Sequence, residues 1–174
     1  MNVAIRSECM GVETSRVNVN GDVLAFDHGR MYLIMEERLD KAIAIARDFV
    51  ASGYEMLCVS RYHPEIIRGL WGEGEFHAIW LSNRLTPNSI APNQLNRISR
   101  RIEAFVSSHS GGVVMLDGIE YLSLSNDFPK LLRFVEELND LVMESSSILL
   151  VSVDPRSFDE RSLARLRRFS ELVY

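Results

Sequence analysis

Apolar residues along the chain gather into short continuous runs, separated by longer stretches in which they recur every three or four positions. The first run, MYLIM at 31–35, gives way to LDKAIAIARDFVASG, where Leu39, Ala42, Ile43, Ala46, Phe49 and Val50 share one face of a predicted helix. Gly53 stands where that helix needs a stop. EMLCVS (55–60) reads as a second strand, and Pro64 opens a short helix behind it. HAIWLS (77–82) is the third strand. From Pro92 or Asn93 a helix carries Leu95, Ile98, Ile102, Phe105 and Val106 on one side. GVVMLD (112–117) is the fourth strand, and Leu131, Phe134, Val135, Leu138, Leu141 and Val142 stripe the long helix after it. SILLVSV (147–153) is the fifth strand, and a last helix occupies residues 159–170.

Ahead of these units lies RVNVNGDVLAF, in which Asn20-Gly21 separates Val17 and Val19 from Val23 and Leu24. An Asn-Gly pair between alternating apolar residues predicts a hairpin with a tight two-residue turn. The later strands are near-continuous apolar runs, as strands covered on both faces are. Strands alternating with helices predict a three-layer α/β/α domain with a mostly parallel sheet and right-handed connections. The division read from the pattern is an N-terminal extension and hairpin over 1–28 and the α/β domain over 29–174.

Composition narrows the class without naming a function. The chain has 174 residues, 47% hydrophobic and 25% charged, enough for one domain with a sizeable core. No apolar run approaches the roughly 18–20 residues that span a bilayer. The N-terminus shows no basic segment leading into an apolar one, so no secretory signal is read. Cys9 and Cys58 do not make a disulfide framework, and a reducing cytoplasm is the expected location. The net charge of −5 argues against a nucleic-acid partner. Lysine occurs only at Lys41 and Lys130, which limits the candidates for a phosphate-binding lysine.

In parallel α/β sheets ligands bind beyond the carboxyl ends of the strands. The residues expected there are Glu36 and Glu37, then Ser60, Arg61 and His63, then Ser82 and Asn83, then Asp117 and Glu120, and finally Asp154. A hydrophobic run ending in an acid, VVMLD, resembles the strand whose terminal carboxylate holds magnesium in nucleotide-hydrolysing proteins. A phosphate cradle, however, needs glycines after the first strand, then Lys and a hydroxyl residue at the helix start. No glycine lies between Arg30 and Gly53, Glu36 and Glu37 occupy the turn, and Lys41 is followed by Ala42. Without glycine such a loop cannot readily reach positive φ. GLWGEGEF (69–76) precedes a strand instead of joining a strand to a helix, and reads as a turn. Neither a cofactor nor a metal is expected.

Each candidate has a plain alternative. Asp117 reads as accepting backbone hydrogen bonds at a strand-to-helix turn, and Glu120 as ordering the following loop. Arg61 either clamps an anion or pairs internally with Glu36 or Asp117, and the internal pair is preferred. His63 beside Pro64 marks a turn, while His28, His77 and His109 show no metal-ligand spacing. The basic cluster Arg97, Arg100 and Arg101 and the stripe Arg161, Arg165 and Arg168 are interleaved with acids and read as solvated faces or protein contacts. Trp71 and Trp80 are candidate interface anchors, with Trp80 assigned to the core.

GRMYLIMEE, SGYEMLCVSRYHPE, AIWLSN, GGVVMLDGIEYLSLSNDFPKLLRFVEELND and ILLVSVDPRSFDE together resemble the archaeal domain-of-unknown-function family 835, over residues 29–170. The LDGIEYL…N-x-F and SR-x-x-P stretches are its most specific parts. The order of elements is similar to a RecA-like ATPase of the KaiC group that lacks the Walker A loop. The resemblance implies a RecA-like core and a signalling context beside sensor or receiver proteins, and it brings no catalytic residues. The expected function is a non-catalytic signalling or protein-interaction module without ATP hydrolysis, which could also form a homo-oligomer. The alternative is a ligand-binding or hydrolytic domain using Asp117, Glu120 and Arg61. The residues expected to meet a ligand or partner are Glu36, Arg61, Asp117 and Glu120.

Overall fold

The computed structural model describes the backbone of residues 7–9 and all of residues 11–173. The readings on the first six residues and on the Cys9 thiol lie outside the described residues.

Seven strands form one sheet in which every pairing is parallel. They are β4 (Arg30–Met35), β5 (Met56–Ser60), β6 (His77–Leu81), β7 (Ser89–Ile90), β8 (Val113–Asp117), β9 (Ile148–Val153) and β10 (Glu171–Val173), in the order β10-β4-β9-β8-β5-β6-β7. The five apolar runs are the long strands of this sheet. β7 and β10 are short edge strands that periodicity did not predict. The hairpin is present as β2 (Val12–Val19) and β3 (Asp22–Asp27), joined by Asn20 and Gly21 at φ 53° and 94°, the conformation that an Asn-Gly turn favours. A third antiparallel strand, β1 (Ser7–Cys9), extends it.

Two layers cover the sheet. On one face α1 (Lys41–Ala51), α2 (Pro64–Trp71) and the hairpin pack on Tyr32, Ile34, Met56, Cys58, Val113, Met115, Ile148 and Leu150. On the other, α3 (Leu95–Ser108), α4 (Ile119–Ser123), α5 (Phe128–Ser145) and α6 (Glu160–Arg167) cover the alternate residues, from Met31 and Leu33 to Val151 and Val153. This arrangement is the expected three-layer α/β/α fold with a parallel sheet. Every residue of β9 is buried, which explains its unbroken apolar spelling.

Local chemistry sets the helix ends. α1 stops in a Schellman motif: Gly53 N–H donates to Val50 O and Tyr54 N–H to Phe49 O, with Gly53 at φ 82°. α5 starts at Asp127, whose Oδ1 accepts from Lys130 N at 2.9 Å. His63 opens α2, its Nδ1 accepting from Glu65 N at 3.2 Å. Burying one side chain such as Phe49, fully enclosed between α1 and the hairpin, contributes about 2–3 kcal/mol. The tryptophans exchange the places read from sequence. Trp71 is 2% exposed and packs on Phe76, so it is no surface anchor, whereas Trp80 is half-buried with its Nε1 donating to Arg61 O. The sequence marked only a short helix after Pro64 and could not show that Phe76 packs against Trp71.

Candidate functional site

The topology fixes where the strand ends can open. β5 connects outward to β6 through α2 on one face, while its neighbour β8 connects the other way to β9 through α4 and α5 on the opposite face. The connections after β4 and β9 likewise leave on opposite faces, through α1 and α6. A crevice beyond the carboxyl ends is expected wherever neighbouring connections diverge. At both places the structure carries the same device. Ser60 Oγ donates to Asp117 Oδ2 at 2.8 Å, and Ser152 Oγ donates to Glu36 Oε1 at 2.9 Å. Asp117 and Ser152 are register partners, so Glu36, Ser152, Asp117 and Ser60 form one row across four strand ends.

Glu36 also caps α1. Its Oε2 accepts from Lys41 N at 2.7 Å and its Oε1 from Ala42 N at 3.2 Å. These are orphan amides of a helix N-terminus, the groups that hold phosphate in a P-loop. Asp40, at the N-cap position, makes no side-chain cap itself. Glu36 therefore supplies, from within the chain, the anion that the helix end attracts. Burial nonetheless raises its pKa, because desolvation outweighs the hydrogen bonds from Ser152, Lys41 and Ala42.

Asp117 is the most perturbed carboxylate at the rim. Burial pushes its pKa from 3.8 up to about 6; the hydrogen bond from Ser60 opposes that shift, and the charges of Glu120 and Glu36 add to it. The reading that it accepts backbone amides at the turn is corrected: among the described residues its donor is the Ser60 hydroxyl. Glu120 accepts the backbone N–H of Asp154, tying the β8 turn to the end of β9, and burial raises its pKa too. Asp154 turns outward to Arg156, which also reaches Glu37 Oε2 at 3.2 Å.

Arg61 does not join this group. The sequence reading paired it with Glu36 or Asp117, but its Nη1 donates to Leu81 O at 3.2 Å and its guanidinium lies 4.7 Å from the Tyr121 ring centroid. Among the described residues it makes no ion pair. The reason is directional: Ser60 points to the α1/α2 face with Asp117, so Arg61, the next residue, leans towards β6 and α4. Of the four expected site residues, Glu36, Asp117 and Glu120 line one open groove of about 870 Å³, and Arg61 stands outside it.

Glu37 and Asp154, also read at the strand ends, join the lining, but the apolar wall was not foreseen. Tyr62, Ile66 and Leu70 on and before α2 line its far wall and are 45%, 51% and 40% exposed. Ile66 and Leu70 are one helical turn apart, so they face the same way. The signal was available, because PEIIRGLW holds more apolar residues than one buried stripe accommodates. Ser152 was hidden within an apolar run, and only strand register brings it to Glu36.

The most specific motif residues interlock the strand ends. Ser60 also accepts from Tyr62 N at 3.0 Å, and Tyr121 lies beneath Arg61. Asn126 Nδ2 donates to Pro92 O at 2.8 Å and Leu122 O at 2.9 Å, joining the entry of α3 to α4. A larger open cleft of about 1010 Å³ lies at the other end of the sheet, between the hairpin and α5. His28 in its wall is already held by Ser15 Oγ and Ser146 O. His77 and His109, which share no ligand spacing along the chain, come together in space with Glu55. The arginines at 97, 100, 101, 161, 165 and 168 are all exposed. Among the described residues no helix is long and apolar enough to cross a membrane.

No curated protein matches the chain. The model of the protein family of unknown function DUF835 matches residues 35–169, from the end of β4 through α6 and thus across the whole row of strand ends, and the chain belongs to that family.

Proposed function

We propose that this chain is a non-catalytic, RecA-like protein-interaction module of an archaeal cytoplasmic signalling system, which engages a protein partner at the groove beyond the strand ends and does not hydrolyse ATP. The observation that carries the reading is the Glu36 carboxylate seated on the Lys41 and Ala42 amides. A triphosphate would have to displace that internal anion and then face Asp117 and Glu120. The RecA-like assignment is supported by the turn of residues 36–40 between β4 and α1, which stands where a phosphate loop would, and by Asp117 closing β8 in the place of a magnesium-binding acid. What the groove offers instead is an exposed apolar wall of Tyr62, Ile66 and Leu70 beside a floor in which acids outnumber the two arginines, Arg38 and Arg47. Such a surface fits a segment of a sensor or receiver protein that carries apolar side chains with lysine or arginine heads. No nucleic acid is expected there.

Thermal-shift measurements with ATP, ADP and GTP, with and without magnesium, test the loss of nucleotide binding. The expected result is an unchanged Tm in every case. The alternative, a ligand-binding or hydrolytic domain using Asp117, Glu120 and Arg61, is favoured by one observation: burial raises the Asp117 pKa to about 6 within the groove, and such shifts cluster at functional sites. A magnesium-dependent nucleotide shift that vanishes in Asp117→Ala would replace the first reading with this one.

A further inference from the structure

We propose that Glu55, His77 and His109 form a binding site for a divalent transition-metal ion of the zinc class, at the amino end of the sheet and opposite the groove. The three residues come from separate elements. Glu55 immediately precedes β5, and its carbonyl accepts from Val113 N at 2.9 Å. His77 opens β6 in register with Leu57. His109 is the residue that ends α3. The parallel sheet and the return of α3 bring their ligand atoms within 4.8 Å of one another, with His77 Nε2 4.0 Å from Glu55 Oε2.

His109 is prepared for such a role. Its Nδ1 lies 2.9 Å from Phe105 O. A carbonyl oxygen can only accept, so Nδ1 carries the proton and the Nε2 lone pair is left for a ligand. Metal-binding histidines are oriented in this way by a second hydrogen bond. Phe105 stacks on the His109 ring at 4.5 Å and 22°, and its ring also meets His77 at 5.7 Å. Gly112 permits this packing, since a Cβ there would come within 3.0 Å of both Phe105 and His109 O.

The other two ligands can move to meet an ion. Zinc at about 2.0–2.2 Å from each donor in a tetrahedron brings the donors to roughly 3.4 Å apart. Glu55 and His77 have side chains 58% and 57% exposed, free to rotate inwards towards the fixed His109. The exposed His77–Glu55 contact at 4.0 Å contributes little by itself. Two imidazoles and one carboxylate suit zinc, cobalt, nickel or copper, whereas magnesium and calcium prefer all-oxygen sites. Three protein ligands leave one tetrahedral position to water.

The test uses the full chain without a histidine tag. Zinc(II) titration by calorimetry is expected to show one equivalent bound at pH 7.5. Cobalt(II) should give visible absorption of a tetrahedral nitrogen–oxygen site, displaced by zinc and unaffected by magnesium. Binding should weaken on acidification, because protons compete with the metal for the same imidazole nitrogens. His77→Ala and His109→Ala should each lose about tenfold or more in affinity, and Glu55→Gln less. Nitrogen-detected NMR of the unmodified chain reads the histidine rings directly, so the result does not depend on a variant folding. Zinc-dependent shifts at His77 and His109 are expected. Absence of those shifts, or zinc binding retained in the folded His77→Ala/His109→Ala double variant, would overturn the site.

Discussion

Ser152 donates its hydroxyl to Glu36 Oε1 at 2.9 Å, so the end of β9 holds in place the carboxylate that caps α1. The neighbouring pair of strand ends repeats the arrangement with Ser60 and Asp117. In each case a small buried donor steadies an acid that burial would otherwise leave uncompensated. A rim that opens to bind phosphate in other α/β folds is here drawn together by its own side chains.

That relationship makes Glu36 a structural residue with a measurable cost. Glu36→Ala removes the acceptor of two helix amides and leaves the Ser152 hydroxyl without its partner. A loss of about 1–3 kcal/mol is expected in urea unfolding, and a smaller one for Glu36→Gln, whose amide oxygen still accepts. An unchanged midpoint in Glu36→Ala would show that the cap contributes nothing.

Asp117 gives the rim an unusual pH dependence. Its folded pKa is raised, so its contribution to stability is fully present below the ordinary 3.8 and is lost as pH rises towards about 6. Above that range the folded chain carries a buried charge that the unfolded chain carries at no cost. Asp117→Asn keeps an acceptor for Ser60 and removes the charge. It is expected to stabilise the protein at pH 8 by on the order of 3 kcal/mol and to change little at pH 3.5, read by chemical denaturation at both values. Equal effects at the two pH values would contradict the raised pKa.

Gly118 follows Asp117 with φ at 114°, a backbone region that other residues occupy only with strain. A Cβ there would stand 3.1 Å from Leu81 Cδ1 and 3.7 Å from Arg61 N. Gly118→Ala should cost about 1–3 kcal/mol and lower Tm by several degrees, with the far-ultraviolet dichroism of the fold retained.

The central architecture could be read from spelling because burial on both faces leaves a strand no polar positions to show. VVMLD and ILLVSV are such strands, and each was placed within one or two residues. Edges were hidden for the opposite reason. Ser89–Ile90 and Glu171–Val173 are too short to carry a period, and partners that are distant in sequence define them. Within the site, the acids were legible as strand-end residues, since any polar residue ending an apolar run falls there. Their partners were not. Register alone pairs Asp117 with Ser152, and the turn direction after Ser60 alone sends Arg61 to Tyr121. Glu55, His77 and His109 begin or end different elements, and spacing along the chain says nothing about which ends meet.

The groove wall separates a role in binding from a role in folding. Ile67, between Ile66 and Leu70 on α2, is 1% exposed and belongs to the core, so Ile67→Ala should destabilise by about 2–5 kcal/mol whatever the protein binds. Ile66 and Leu70 are 51% and 40% exposed, and Ile66→Asp/Leu70→Asp should move the unfolding midpoint by no more than about 0.5 kcal/mol per site. If this wall receives a partner's apolar side chains, the same double variant must lose that contact, because a charge buried there would face Asp117 and Glu120 as well as the displaced partner. In-cell crosslinking followed by mass spectrometry of wild type and the double variant reads the effect directly. Crosslinked protein partners that disappear with the two aspartates, while stability holds, are the expected result. An identical partner set in both proteins would move the interaction away from this groove.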